Sequence, residues 1–128
     1  MNIHNLTIDK IKINQSAEIK KLVSEEDIKN FASLTGDNNP VHLDEEYAKN
    51  TFFKKRIAHG LLTASFISTA IATKLPGPGS IYLDQSLKFL APAYIGDIIH
   101  VFIRVTKKNI EKKIVTLSTD AFVTKKKL

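Results

Sequence analysis

The chain has no cysteine and no tryptophan, and only five glycines and four prolines among its 128 residues. Without cysteine, disulfide bridges and thiolate metal sites are excluded, which fits a reducing compartment. Long apolar runs are missing too, because the longest one, residues 60–72, is interrupted by serine and threonine and is too short to cross a bilayer. The first fifteen residues are polar and lack the apolar core of an export signal. We therefore expect a cytoplasmic protein with no membrane span.

The composition is that of an ordinary globular domain, with 43% hydrophobic and 25% charged residues. A chain of this length buries roughly two thirds of the surface that its unfolded form exposes. No repeat, linker or low-complexity segment divides it. We expect one domain over residues 1–128.

The net charge of +6 suggests a phosphate-rich partner, such as nucleic acid or coenzyme A, or simply a soluble surface. Most of the excess lies in pairs of lysines without the interleaved aromatic residues of a nucleic-acid platform. We therefore expect no nucleic-acid partner.

The first half of the chain has helical patterns after one short strand. Alternation over residues 16–23 predicts a strand, and residues 24–36 have a serine N-cap, three early acids and a terminal glycine, as a helix does. We expect a short helix over residues 45–50, which Asp44 can cap. Residues 59–75 are apolar around much of the circumference, which predicts a buried helix.

The second half has strand patterns. We expect strands within residues 75–92, 93–108 and 112–124, with a turn at Gly96 and Asp97 and a hairpin tip at Lys108 and Asn109. The fold class is α+β, with an antiparallel sheet wrapped around helix 59–75. The helix carries a stripe of small residues on which the sheet can sit, namely Gly60, Ala64, Ser68 and Ala72.

An aspartate and a histidine flank a turn in the stretch LTGDNNPVH, residues 34–42. Pro40 fixes its own φ and pushes Asn39 towards extended geometry, so this turn has few conformations. Asp37 and His42 can then orient one water and exchange protons with it. The same residues also fit a plain Asx turn with a surface histidine. A metal site is less favoured, because no second histidine lies nearby in the sequence and there is no cysteine.

The stretch RIAHGLL, residues 56–62, adds a possible oxyanion site. If the helix begins near His59, the N–H of Gly60 is among the unpaired donors of the first turn, and the helix dipole favours negative charge there. A ligand oxygen can come close because glycine has no side chain. Tight packing explains the glycine equally well.

Three blocks of sequence then resemble one known family. FASLTGDNNPVH (31–42), IAHGLLTASFIS (57–68) and LPGPGSIYLDQSLKFLAPAYIGD (75–97) are similar to the MaoC-like dehydratase domain family, specifically its short (R)-specific enoyl-CoA hydratases. The resemblance covers roughly residues 24–106, and the first block matches at every family position. It implies a hot dog fold, a homodimer and a hydro-lyase that needs no cofactor and no metal.

The resemblance also implies roles for individual residues. Asp37 and His42 become the catalytic pair, with the identity of the proton acceptor left open, and Gly60 becomes the oxyanion donor. Site-shaping roles fall to Asn39, Pro40, His59 and Ser68, and the candidates for binding the phosphates of coenzyme A are Lys54, Lys55 and Arg56.

The implied reaction is the reversible, (R)-specific hydration of a trans-2-enoyl-CoA to an (R)-3-hydroxyacyl-CoA. One alternative is a dehydratase that acts on the same acyl group carried by acyl carrier protein. Another is a non-catalytic acyl-CoA-binding or regulatory domain, against which the complete Asp37 and His42 motif argues.

Overall fold

In the described residues, the centre of the fold is a four-stranded antiparallel sheet whose strands are neighbours in chain order. The computed structural model describes residues 7–123 and 126–128. Its elements are β1 (Ser16–Leu22), α1 (Glu25–Thr35), α2 (Pro40–Leu43), α3 (Glu45–Lys49), α4 (Gly60–Thr73), β2 (Ile98–Asn109), β3 (Ile114–Val123) and β4 (Lys126–Lys127). No helix in the described part of the chain is both long and apolar enough to span a membrane.

Strand β2 and helix α4 form the centre of the apolar core. Alternate residues of β2 are fully buried, with 0% of their surface exposed, namely Ile99, Val101, Ile103 and Val105. They belong to the same buried cluster as Leu62, Phe66, Ile67 and Ala70 of α4. Complete burial of one such aliphatic side chain contributes about 1.5–3 kcal/mol. The alternation of β2 and the apolar face of α4 therefore hold the helix against the sheet.

Helix α1 begins and ends where its sequence predicts. The Ser24 hydroxyl accepts the N–H of Asp27 at 3.0 Å. Gly36 has a φ of 81°, and its N–H donates to the carbonyl of Ala32. Most residues adopt this left-handed geometry only at a cost, so glycine is the residue that best ends the helix. The chain then turns directly into the Asp37 loop.

The sheet does not sit on the small-residue stripe of α4, so that expectation was wrong. Gly60 and Ala72 are exposed, while Ala64 and Ser68 are only partly buried. The larger apolar side chains of the helix face the sheet instead, because they remove more apolar area from water. The helix is also less buried than predicted, since Leu61 is 60% exposed.

The strand expected within residues 75–92 is not formed in the described chain, and this prediction was also wrong. Residues 80–93 have no regular secondary structure, and Tyr94 makes only an isolated bridge to Ile57. A strand needs backbone hydrogen bonds to a neighbouring strand, and the described segment forms no such ladder, although the Gln85 side chain donates to the Thr119 hydroxyl of β3 at 3.3 Å. Its apolar side chains are exposed, among them Ile81 at 80% and Leu83 at 71%.

The β2–β3 hairpin turns two residues later than predicted. Residues 110–113 form the turn, and Lys108 and Asn109 still pair with Val115 and Ile114. The left-handed conformation that closes the turn falls at Lys113, which has a φ of 55°. Because this position is a lysine and not a glycine, the sequence does not mark it as the end of the turn.

Candidate active site

The Asp37 loop is built from local hydrogen bonds. The Asp37 carboxylate accepts the N–H of Asn39 at 3.3 Å, and the Asn39 side chain accepts the N–H of Val41 at 3.2 Å. Asn39 is thereby the N-cap of α2, and Pro40 occupies its first turn, where a missing N–H costs nothing. The structure thus contains both the expected Asx turn and a short helix that the sequence analysis did not predict. That helix carries His42 into the protein, while Asp37 stays exposed.

His42 is buried, with 8% of its surface exposed, and its tautomer follows from its partner. Nδ1 lies 2.8 Å from the carbonyl oxygen of Ile57. A carbonyl can only accept, so Nδ1 carries the hydrogen and Nε2 of the neutral ring keeps its lone pair. Burial lowers the pKa of His42 below its usual 6.5, and the hydrogen bond to Ile57 opposes this only in part. At neutral pH, His42 is therefore a neutral ring with a basic Nε2.

His59 contacts both members of the proposed catalytic pair. It is only 2% exposed, and its ring lies against His42 with centroids 3.9 Å apart and against Phe31 at 4.8 Å. Its Nε2 donates to the backbone carbonyl of Asp37 at 3.1 Å. Within the described residues, its buried Nδ1 has no hydrogen-bond partner. His59 therefore ties the Asp37 loop to the start of α4.

Asp37, His42 and His59 form a cluster in which one side-chain N or O atom from each lies within 4.8 Å of the others. One carboxylate and two imidazoles can in principle hold a metal ion. However, the two rings lie against each other with centroids 3.9 Å apart and planes tilted by 30°, and His42 already uses Nδ1 as a donor to Ile57. His59 also already uses Nε2 as a donor to Asp37. The geometry favours an acid–base site, with Asp37 and His42 presented side by side.

Gly60 is the first residue of α4, directly after the buried His59. The N–H groups of a first helical turn have no acceptor within the helix, and the dipole adds partial positive charge. The Phe89 ring lies over the glycine, because a Cβ added to Gly60 would come 2.8 Å from Phe89 Cε1. The end of α4 can therefore receive a negatively charged oxygen beside an aromatic wall.

Arg56 does not occupy the exposed position expected of a phosphate ligand. It is 9% exposed, its Nε donates to the backbone carbonyl of His42 at 2.8 Å, and its Nη1 contacts Glu25 Oε1 at 2.8 Å. Its charge is already paired inside the protein, so we correct its assignment. No local pattern marks the pairing with Glu25, because the two residues lie 31 positions apart.

The remaining candidates lie outside the cluster. Lys54 and Lys55 are exposed, and the Lys55 ammonium lies 4.5 Å from the centre of the Tyr94 ring. Ser68 is partly buried two turns along α4, roughly 12 Å from Gly60 at 1.5 Å per residue. The structure therefore brings Asp37, His42, His59 and Gly60 together, and Ser68 lies two turns further along α4.

Comparison with known proteins gives concordant matches. Residues 7–126 match the MaoC like domain. The chain is 53% identical to an (R)-specific enoyl-CoA hydratase from Rhodospirillum rubrum over 113 residues, which are 88% of this chain and 78% of that protein. It is 37% identical to a mitochondrial 3-hydroxyacyl-[acyl-carrier-protein] dehydratase from Arabidopsis thaliana, over 88% of this chain and 68% of that protein.

A solved structure agrees with these sequence matches. The unliganded R-hydratase PhaJ1 from Pseudomonas aeruginosa superposes with a TM-score of 0.91 at 44% identity, covering 97% of this chain and 80% of that one. The predicted hot dog fold of α+β class and the predicted hydro-lyase class are confirmed. The chain belongs to the MaoC-like domain family.

Proposed function

We propose that the protein catalyses the reversible, (R)-specific hydration of trans-2-enoyl-CoA to (R)-3-hydroxyacyl-CoA. The observation that carries this proposal is the placement of Asp37 and of the neutral His42 in one cluster, joined through His59 to the N-terminus of α4. The 53% identity to a protein of that named activity supports it.

The site can activate water without a cofactor. A water that donates one hydrogen bond to the Asp37 carboxylate and one to His42 Nε2 keeps an oxygen lone pair for attack on the β-carbon. The new C–O bond forms as the C=C electrons move towards the thioester, and the water gives one proton to the pair. The pair returns a proton to the α-carbon on the same face, so the net change is the addition of one water.

Gly60 would stabilise the negative charge that moves onto the thioester oxygen. Its N–H is a preorganised donor at the positive end of α4, and such donors act most strongly on charge that develops in the transition state. No metal and no redox group is required, because the thioester itself accepts the electrons. Asn39 and Pro40 would serve this chemistry by fixing the loop.

The substrate's phosphates would meet the exposed lysines before α4. Lys54 and Lys55 precede the buried Arg56 and project from the segment that leads to Gly60. Lysine binds phosphate as a flexible point charge, which suits a contact at the rim of a site. This assignment stays a proposal for these two residues only.

A homodimer is the proposed assembly. The segment 80–90 exposes apolar side chains that a monomer would leave in water, including Ile81, Leu83, Phe89 and Leu90. Exposed apolar surface of this kind marks an interaction site. A second copy is the proposed partner, and the segment could gain the strand pairing there that it lacks in one chain.

A dehydratase acting on acyl carrier protein is the second candidate. The resemblance to the Arabidopsis thaliana dehydratase favours it, and the acid–base cluster would serve both substrates. The excess positive charge would suit an acidic carrier as well as coenzyme A.

The test is the loss of enoyl-thioester absorbance with crotonyl-CoA and with crotonyl-acyl carrier protein, followed by chiral analysis of the product. We expect faster turnover of crotonyl-CoA and an (R)-alcohol. Faster turnover on the carrier would favour the dehydratase, and an (S)-alcohol or no turnover with either would refute the proposal.

A further inference from the structure

We infer that Arg56 and Glu25 form a positioning pair, which holds His42 in its reactive orientation. The inference rests on the function proposed above, because it concerns how the same site is kept in place. Neither residue needs to touch the substrate.

The guanidinium of Arg56 connects two parts of the fold. Its Nε–H donates to the His42 carbonyl at 2.8 Å, and its Nη1–H donates to Glu25 Oε1 at 2.8 Å. Glu25 is the first residue of α1, whereas His42 lies in α2. Arg56 is therefore a polar link between the start of α1 and the backbone of His42.

The link matters because α2 has only four residues and cannot hold itself in place. The last carbonyls of a helix have no partner within it. Arg56 supplies one for His42, and a cation near a helix C-terminus is also favoured by the dipole. The neighbouring residue completes the attachment, since the Ile57 N–H donates to the Val41 carbonyl at 3.3 Å.

The same segment also fixes the His42 ring. Ile57 accepts the Nδ1 hydrogen, so two consecutive residues, 56 and 57, hold the backbone and the ring of one histidine. If Arg56 lost its anchor, the Ile57 carbonyl would shift with it, and Nε2 of His42 would change direction. A displacement of about 1 Å at a reacting group can cost about 100-fold in rate.

Glu25 keeps the pair fixed and electrically balanced. Its hydrogen bond with Arg56 and the adjacent guanidinium charge lower the pKa of its carboxyl group, so it stays ionised at neutral pH. Without it, a buried guanidinium would lack its counter-charge. Lys29 approaches the same carboxylate at 3.6 Å from the solvent side, where its side chain is 65% exposed, which makes it a matched control.

A positioning role and a phosphate-binding role predict different kinetic losses. A positioning residue acts on the chemical step, so its loss lowers kcat and leaves KM almost unchanged. The loss of a phosphate-binding residue raises KM, and this rise vanishes for a thioester that has no nucleotide. The comparison of crotonyl-CoA with crotonyl-pantetheine therefore separates the two.

The experiment uses Glu25→Gln, Arg56→Lys and the control Lys29→Gln in the full chain. Thermal unfolding first establishes that each variant is folded. We expect Glu25→Gln and Arg56→Lys to lower kcat about 10- to 100-fold with both thioesters, with KM within about twofold. The control should match the wild type.

A structural readout tests the positioning of His42 without relying on turnover. The chain has only four histidines, so the ring nitrogens of His42 can be assigned by NMR from their loss in His42→Gln. In the wild type we expect a single neutral tautomer with hydrogen on Nδ1, and in Glu25→Gln and Arg56→Lys a shifted or mixed one. An unchanged His42 spectrum together with an unchanged kcat would overturn the inference, as would a rise in KM confined to crotonyl-CoA. If the wild type turns over neither thioester, the proposed function fails, and the spectra still decide whether the pair positions His42.

Discussion

Replacing Gly60 with alanine should damage the reaction far more than the fold. The added Cβ would lie 2.8 Å from Phe89 Cε1, 3.0 Å from Cδ1 and 3.2 Å from Cζ. Carbon atoms normally approach to about 3.5 Å, so the ring must retreat by about 0.7 Å. Phe89 is 55% exposed on a segment without regular structure, so it can move at little cost.

The stability change is therefore expected to be small. Alanine is better than glycine in a helix by up to about 1 kcal/mol, which opposes the cost of moving Phe89. The activity change is expected to be large, because the added methyl group would hinder the approach of the proposed thioester oxygen to the Gly60 N–H, which alanine keeps. Loss of one oxyanion donor typically lowers kcat about 100- to 1,000-fold.

The assay combines thermal unfolding with kcat for crotonyl-CoA in Gly60→Ala, Phe89→Leu and the double variant. We expect an unfolding free energy within about 1 kcal/mol of the wild type and a loss in kcat of at least about 100-fold. The double variant should remain slow, since its methyl group is still present. Recovery in the double variant would show that displacement of Phe89 causes the loss, and a kcat of Gly60→Ala near the wild-type value would refute the oxyanion role.

Three further predictions follow from single residues. Because burial lowers the pKa of His42 below 6.5, kcat/KM should fall only at pH values under 6.5. For the same reason, the stabilisation present above pH 6.5 should be lost as pH falls from 6.5 through the folded-state pKa of His42, and His42→Gln should lose less. A fall in kcat/KM that begins above pH 6.5 would contradict this prediction. Ser24→Ala should lower the unfolding free energy in urea by about 1 kcal/mol and Ser24→Asp should not, because aspartate also caps a helix; equal stability of all three proteins would disprove the cap. Leu83→Asp should convert a dimer into a monomer in light scattering, whereas Lys113→Asp at the hairpin turn should not; a monomeric wild type would refute the proposed dimer.

Local patterns predicted the elements whose stability is local or strongly periodic. Helix α1 could be placed from its Ser24 cap and terminal Gly36, and β2 from its strict alternation. The strand expected within residues 75–92 is not formed, because strand formation depends on pairing with a neighbouring strand, which periodicity does not reveal. The hairpin tip was misplaced because its left-handed residue is Lys113, a residue type with no preference for that geometry.

Only part of the candidate site could be predicted from the sequence, because local patterns do not show contacts between distant residues. Asp37 and His42 are five residues apart, so the motif marks them, and the helix start marks Gly60. The contacts that organise them join distant positions, such as His59 to Asp37 and Arg56 to Glu25. Arg56 resembled an exposed phosphate ligand because it follows two lysines, and only the fold shows that its guanidinium turns inward.

The central claim is that Asp37 and His42 act together on water. Its most direct test is the rate of crotonyl-CoA hydration by Asp37→Asn, with Asp44→Asn as the control. Asp44 is a nearby aspartate that caps α3, and asparagine caps helices equally well. We predict that Asp37→Asn loses at least about 100-fold in kcat, as expected for removal of acid–base catalysis, while still binding the thioester, and that Asp44→Asn keeps wild-type activity. Turnover by Asp37→Asn at the wild-type rate would contradict the account.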